Sequence, residues 1–178
     1  MPAWGAGRRY FLIYTLFVDS LADRFAAAEL AQRAARSLGF GPRARAASGI
    51  IAAELAENMV RYAKGGRIEI STRFDAGALR IAATDHGPSF RDIRRAFADG
   101  STDEGPIPPE HVAGRLGFGS GLGAVRRLSD AVVISADAAE KSIIADVARD
   151  ERLRLVACPL TVHARQDESS LRERAAGE

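Results

Sequence analysis

The chain has 178 residues, 47% of them apolar and 27% charged, and its 25 basic and 23 acidic residues give a net charge of +2. This length and composition fit one globular domain that can bury a proper core, and no repeat at solenoid spacing is visible. The basic residues are spread along the chain, so we expect no nucleic-acid partner. A single cysteine, Cys158, excludes an internal disulfide framework and offers no metal cluster.

The first apolar run extends from Tyr10 to Val18 and follows Arg8 and Arg9, so it can be interpreted as a twin-arginine export signal or as a β-strand. The run is short, Asp19 follows it directly, and its β-branched and aromatic residues are typical of a strand. We therefore favour the strand and a cytoplasmic location. No stretch approaches the roughly 18 to 20 apolar residues that a bilayer span needs, so no membrane is expected.

Two helices are predicted next. The first begins at Ser20 as its cap and ends at Gly39 and Gly41. Its apolar positions recur at steps of three and four, and they are Leu21, Phe25, Ala28, Ala31, Ala35 and Leu38. Pro42 suits the start of the second helix, which runs to about Ala63. Its apolar stripe is Ile51, Leu55, Met59 and Tyr62.

The second helix also carries polar side chains on one edge. Glu54 and Asn58 are four residues apart and project from the same face, with Arg61 one turn further on. Such a pattern is usually an ordinary solvated helix face. It indicates a site only if other parts of the chain supply matching features.

A β-hairpin follows the second helix. Residues 67–74 alternate, a turn covers residues 75–77, and the return strand covers residues 78–84. The alternation places Asp85 on the buried face at the end of the return strand, where an ionisable group needs a partner. Either Asp85 caps or pairs locally, or it faces a polar ligand, which we favour. Ser89 is predicted to cap a short helix, and residues 100–118 are predicted to form a lid.

The glycine-rich run has five glycines in ten residues, from Gly114 to Gly123. Glycine lets the backbone approach a ligand, and free N–H groups at a helix start attract phosphate. The run therefore indicates a phosphate-binding loop or, alternatively, an ordinary flexible loop. It matches neither a P-loop nor a dinucleotide fingerprint. After the run, strands are predicted at residues 131–136, 141–147 and 153–158. Residues 1–165 are predicted to form a single domain, and residues 166–178 are predicted to be a disordered charged tail.

The three polar features occur in a known order. Glu54-x-x-x-Asn58 on a helix, Asp85-x-Gly87 after a strand, and Gly119-x-Gly121-Leu122-Gly123 before a helix resemble the N, G1 and G2 boxes of the GHKL superfamily. Within it, the chain resembles the anti-sigma regulatory serine/threonine kinases, especially the stressosome switch kinases. The resemblance spans about residues 9–150. It implies an α+β fold, a two-layer α/β sandwich with a mixed, mostly antiparallel sheet and helices on one face, known as the Bergerat ATP-binding fold.

The resemblance also implies residue roles and cofactors. Glu54 would be the general base, Asn58 would bind Mg²⁺, and Asp85 would accept from the adenine amino group of ATP. Further nucleotide contacts are expected from a set of residues in the boxes and beside them. These are Arg61, Gly87, Ser89, Gly117, Gly119, Ser120, Gly121, Leu122 and Gly123. Ser89 stands where the family usually has a second glycine, and the segment after Asp150 has no counterpart.

The function implied is an ATP-dependent kinase that phosphorylates serine or threonine on a small antagonist with a STAS-type domain, in a partner-switching stress response. A phosphatase or a sigma factor is a further possible partner. The alternative is an anti-sigma factor that holds its partner and uses ATP mainly for affinity. A histidine kinase is disfavoured because no helix with a phosphoacceptor histidine precedes the boxes. A gyrase-like ATPase is disfavoured because this chain has no room for a transducer domain. A degenerate fold without catalysis is the remaining alternative.

Overall fold

The computed structural model describes residues 10–73, 77–98, 101–102, 105–106, 121–136, 140–149 and 160–164. The strands in these ranges are Tyr10–Val18 (β1), Gly66–Arg73 (β2), Ala78–Asp85 (β3), Ser101–Thr102 (β4), Gly105–Pro106 (β5), Ala131–Ala136 (β6), Lys141–Ala148 (β7) and Leu160–Ala164 (β8). The helices there are Asp23–Ser37 (α1), Pro42–Ala63 (α2), Ile93–Ala96 (α3) and Leu122–Leu128 (α4). No helix in these ranges is long and apolar enough to cross a bilayer.

Six strands form the main sheet, in the order β1-β2-β3-β7-β6-β8. All neighbours are antiparallel except β6 and β8, which are parallel. The two-residue strands β4 and β5 form a separate ribbon. The chain is thus an α+β protein with a mixed, mostly antiparallel sheet, which confirms the predicted fold class.

The core lies between this sheet and a layer of helices. Helices α1 and α4 both pack on α2, and α2 contacts the central strands β2, β3 and β7. On β3, Leu79, Ile81 and Ala83 are buried at every second position, as a half-buried strand requires. Asp85 continues this series and is also buried. The strand therefore delivers a carboxylate to the helix side of the sheet.

Helix α1 differs from its prediction at its start. It begins at Asp23, and Ser20 does not cap it; instead the Asp23 carboxylate accepts hydrogen bonds from the backbone N–H groups of Asp19 and Ser20 and from the Ser20 hydroxyl. Leu21 and Phe25 are exposed, Phe25 by 59%. Small residues take the buried face instead: Ala27, Ala31, Ala34 and Ala35. The physical reason is that α1 lies close against α2, where alanines fit and a phenyl ring does not.

Helix α2 has the predicted bounds, with Pro42 in its first turn, and it ends where Lys64 adopts a left-handed φ of 62°. Tyr62, predicted in the apolar stripe, is largely exposed. The short helix α3 is capped by Asp92, whose carboxylate accepts from the Arg95 N–H, and Ser89 does not cap it. Residues 153–158 and 166–178, and most of residues 100–118, lie outside the described residues.

Candidate functional site

The polar edge of α2 forms one wall of the site. Glu54 is only 6% exposed, although it is a carboxylate. The side-chain nitrogen Nδ2 of Asn58, one turn later on the same face, is buried and has no hydrogen-bond partner within the described residues. Buried polar atoms are normally satisfied, so the Asn58 amide is a candidate for contact with a ligand.

Glu57 is a buried carboxylate beside this edge that the sequence reasoning missed. Its Oε2 atom lies 2.9 Å from Nη1 of Arg24 on α1, and its Oε1 atom lies 2.8 Å from Nε of Arg61. The two arginines therefore clamp Glu57 from both sides. The ion pair with Arg24 also joins α1 to α2, whereas Arg61 lies on α2 itself. Arg61, a predicted phosphate contact, is 37% exposed and pairs with Glu57. The i,i+4 spacing of Glu57 and Arg61 is the sequence signal that could have predicted this ion pair.

Asp85 lies on the opposite wall, at the end of β3, and engages its surroundings through one oxygen. Its Oδ1 atom accepts the Gly87 N–H at 2.8 Å and lies 3.2 Å from the ammonium nitrogen of Lys141. The sequence presents local pairing and ligand binding by Asp85 as alternatives, but this geometry is compatible with both. The described residues place no hydrogen bond on Oδ2, which leaves that oxygen for a ligand.

Lys141 is the second charged residue of the site that the sequence reasoning missed. It is the first residue of β7 and stands directly opposite Asp85 in the antiparallel ladder between β3 and β7. Both side chains are almost fully buried, with exposures of 7% for Lys141 and 6% for Asp85. The two residues lie 56 positions apart in the sequence, which explains why no local pattern signals the pair.

The turn after β3 packs directly against the end of α2. A Cβ atom placed on Gly87 would lie 2.6 Å from the Cβ of Ala63, too close for any side chain. Packing against α2 is therefore sufficient reason for a glycine at position 87. The same packing holds the turn after Asp85 against the helix that carries Glu54 and Asn58. Ser89 is exposed just beyond this turn.

The glycine-rich run is described only at its end. Gly117, Gly119 and Ser120 lie outside the described residues. Gly121 has a φ of +67°, which favours glycine, and a Cβ placed on it would meet nothing within 4 Å among the described atoms. Leu122 and Gly123 begin α4 and are buried, and α4 packs on α2. The described parts of the three sequence motifs thus lie on α2 or on elements that pack against it.

Comparison with known proteins agrees with this arrangement. The family described as the histidine kinase-like ATPase domain matches residues 18–146, which include all three motifs. The chain is also similar to the serine/threonine-protein kinase RsbT of Bacillus subtilis (strain 168). The two are 36% identical over 120 residues, which cover 66% of this chain and 82% of RsbT. The chain therefore belongs to the histidine kinase-like ATPase family, as a GHKL-type kinase of the anti-sigma regulatory group that the motif order predicted.

Proposed function

We propose that the chain is an ATP-dependent serine/threonine protein kinase of a partner-switching system, and that it phosphorylates a small antagonist with a STAS-type domain. The observation that carries this proposal is the placement on one face of α2 of a buried carboxylate, Glu54, and of the Asn58 amide, whose nitrogen has no partner among the described residues. The similarity to RsbT, a serine/threonine-protein kinase, supports the choice of phosphoacceptor.

The nucleotide fits between the two walls of the site. Asp85 offers Oδ2 to the amino group of adenine, because a carboxylate only accepts hydrogen bonds. Gly87 and Ser89 are proposed to line the base, while residues 117–123 are proposed to surround the phosphates. No described atom lies within 4 Å of a Cβ placed on Gly121, which supports that placement. Arg61 is proposed as a weaker phosphate contact, since Glu57 already engages it.

Asn58 is proposed to hold Mg²⁺ through its amide oxygen. The described residues contain no group of three His, Cys, Asp or Glu side chains that could hold a metal. A single amide ligand nevertheless fits Mg²⁺, which retains several waters and binds phosphate oxygens. The Nδ2 atom, which has no partner within the described ranges, is compatible with this role. The nitrogen and oxygen of an amide are assigned from their partners, so the two atoms can be exchanged and the oxygen can take this position. When bound, the ion neutralises charge on the phosphates.

Glu54 is proposed to act as the general base. Its carboxylate takes the proton of the attacking serine or threonine hydroxyl, whose oxygen bonds to the γ-phosphorus as the bond to ADP breaks. Burial suits this role because it keeps bulk water away from the carboxylate. A base on a helix anchored by Pro42 and by the Glu57 clamp is also held in a fixed position.

The test is transfer of labelled phosphate from ATP to the antagonist at saturating nucleotide. We expect Glu54→Ala and Glu54→Gln to bind ATP normally, while transfer falls by about 10²- to 10⁴-fold, as for loss of a general base. Asp85→Asn, which should weaken ATP binding instead, is the control for a nucleotide defect.

Two results would contradict this assignment. Unchanged transfer by Glu54→Gln would remove Glu54 from catalysis. No transfer by the wild-type chain to any co-purified partner, with ATP binding intact, would favour the anti-sigma binding protein. That second function has one observation behind it: large apolar side chains stand exposed on β1, α1 and α2, including Phe17, Phe25 and Tyr62.

A further inference from the structure

Lys141 is a buried cation that the proposed reaction does not use. Its ammonium nitrogen lies 3.2 Å from Oδ1 of Asp85, donates to the backbone oxygen of Pro88 at 3.2 Å, and lies 4.9 Å from the centre of the Phe90 ring. The side chain is only 7% exposed. These three neighbours occupy the ammonium group, so it is not a free cation that waits for a phosphate.

The neighbours of Lys141 all belong to the segment that carries the base-reading carboxylate. Asp85, Pro88 and Phe90 lie within six residues, and the Phe90 ring is packed edge-on against Phe97, with centroids 6.2 Å apart. Lys141 therefore fastens this segment to β7 at one point. Since Gly87 packs on Ala63, the segment is fixed between the sheet and α2.

From this geometry we infer that Lys141 is a positioning residue for base recognition, which holds Oδ1 of Asp85 and so presents Oδ2 to the amino group of the base. The inference rests on the proposed function, because it presumes that Asp85 reads the nucleotide. It adds a determinant of base specificity: with Oδ1 held, the acceptor Oδ2 faces the base, which favours adenine over a base with a carbonyl group at the same position.

The physical reason is the orientation of the carboxylate. Without Lys141, Oδ1 would lose one of its two partners, so the carboxylate could rotate. Rotation would turn Oδ2 away from the amino group of adenine, and ATP would lose an acceptor. It would also turn Oδ2 away from the carbonyl oxygen of hypoxanthine in ITP, which two facing acceptors otherwise disfavour.

The experiment measures the affinities of the full chain for ATP and ITP by calorimetry in four proteins: wild type, Lys141→Met, Asp85→Asn and the double variant. We expect Lys141→Met to reduce the preference for ATP over ITP by about ten-fold, within the range of coupling between contacting groups. In the Asp85→Asn background the same change should have little effect, because Lys141 acts through Asp85. Lys141→Arg keeps the cation and should preserve the preference.

A purely structural ion pair would behave differently. It would lower the melting temperature of Lys141→Met and leave the ratio of ATP to ITP affinity unchanged, and this result would overturn the inference. An equal effect of Lys141→Met with and without Asp85 would also overturn it. If Lys141→Met does not fold, Lys141→Val, which also has no donor for Oδ1 of Asp85 and suits a strand, takes its place in the comparison. Failure of the wild-type chain to bind ATP would instead contradict the proposed function.

Discussion

At the scale of single residues, the proposed nucleotide contact of Asp85 and the stability of the fold depend on the same buried pair, Asp85 and Lys141. Removing one partner of a buried ion pair leaves the other charge uncompensated, which typically costs about 3 to 5 kcal/mol. The amide of Asn can still accept the Gly87 N–H, so this contact survives substitution of Asp85. We therefore expect both the proposed base contact and the fold to be sensitive to the charge at this position.

We expect Asp85→Asn to weaken ATP binding by about 10- to 100-fold, the value of a hydrogen bond to a charged group. The variant should also lose about 3 kcal/mol of stability because Lys141 becomes an unpaired buried cation. Calorimetry below the melting temperature measures the first effect, and urea unfolding measures the second. Undiminished ATP affinity in the folded variant would contradict the role of Asp85.

The residue pattern of the sequence predicted Asp85 but not its partner Lys141. Period-two alternation along β3 placed Asp85 on the buried face, and burial of an acid implied a partner. Lys141 could not be inferred, because its position depends on the register between β3 and β7. Glu57 was missed for a related reason: one of its two arginines, Arg24, lies 33 residues away on another helix.

At the scale of elements, strong periodicity predicted the bounds of α2 and the strands β2, β3, β6 and β7 closely. Where packing decides, the predictions were wrong: the tight contact of α1 with α2 selects alanines and leaves Phe25 exposed. Caps were also misassigned. Ser20 does not cap α1 but donates to the Asp23 carboxylate, and Asp92 rather than Ser89 caps α3. Strand β8 was not predicted.

The start of α1 gives a prediction about pH. Hydrogen bonds from the backbone N–H groups of Asp19 and Ser20 hold the pKa of Asp23 below its ordinary value of 3.8. A carboxylate with a lowered folded pKa contributes stability that is complete above pH 3.8 and is lost as the pH falls through the folded pKa. We expect Asp23→Asn to melt below wild type at pH 7, and the two curves to converge near the acid limit.

The matched control for this prediction is Glu29→Gln, which removes an exposed carboxylate from the same helix. Its melting temperature should differ little from that of the wild type at every pH. A gap between Asp23→Asn and wild type that does not narrow as the pH falls would show that the Asp23 carboxylate is not the source of the stability. A gap of the same size in Glu29→Gln would lead to the same conclusion.

At the scale of the whole molecule, α2 joins the sheet, α1 and α4, and it carries or contacts every described part of the site. A ligand seated between α2 and the turn after β3 would therefore bridge elements that separate on unfolding. Binding to the folded state alone stabilises it by about 2.7 kcal/mol when the ligand is at 100 times its dissociation constant. For a chain of this size that gain raises the melting temperature by about 5 to 10 °C.

We accordingly expect ATP with Mg²⁺ to raise the melting temperature of the wild-type chain by this amount, and EDTA to reduce the increase if Asn58 holds the ion. Asp85→Asn, compared at the same ATP concentration, should gain much less, because its weaker affinity lowers the ratio of ligand to dissociation constant. Equal increases in both proteins would place the nucleotide away from Asp85. An increase that EDTA leaves unchanged would argue against a metal at Asn58 and would leave the base-binding wall intact.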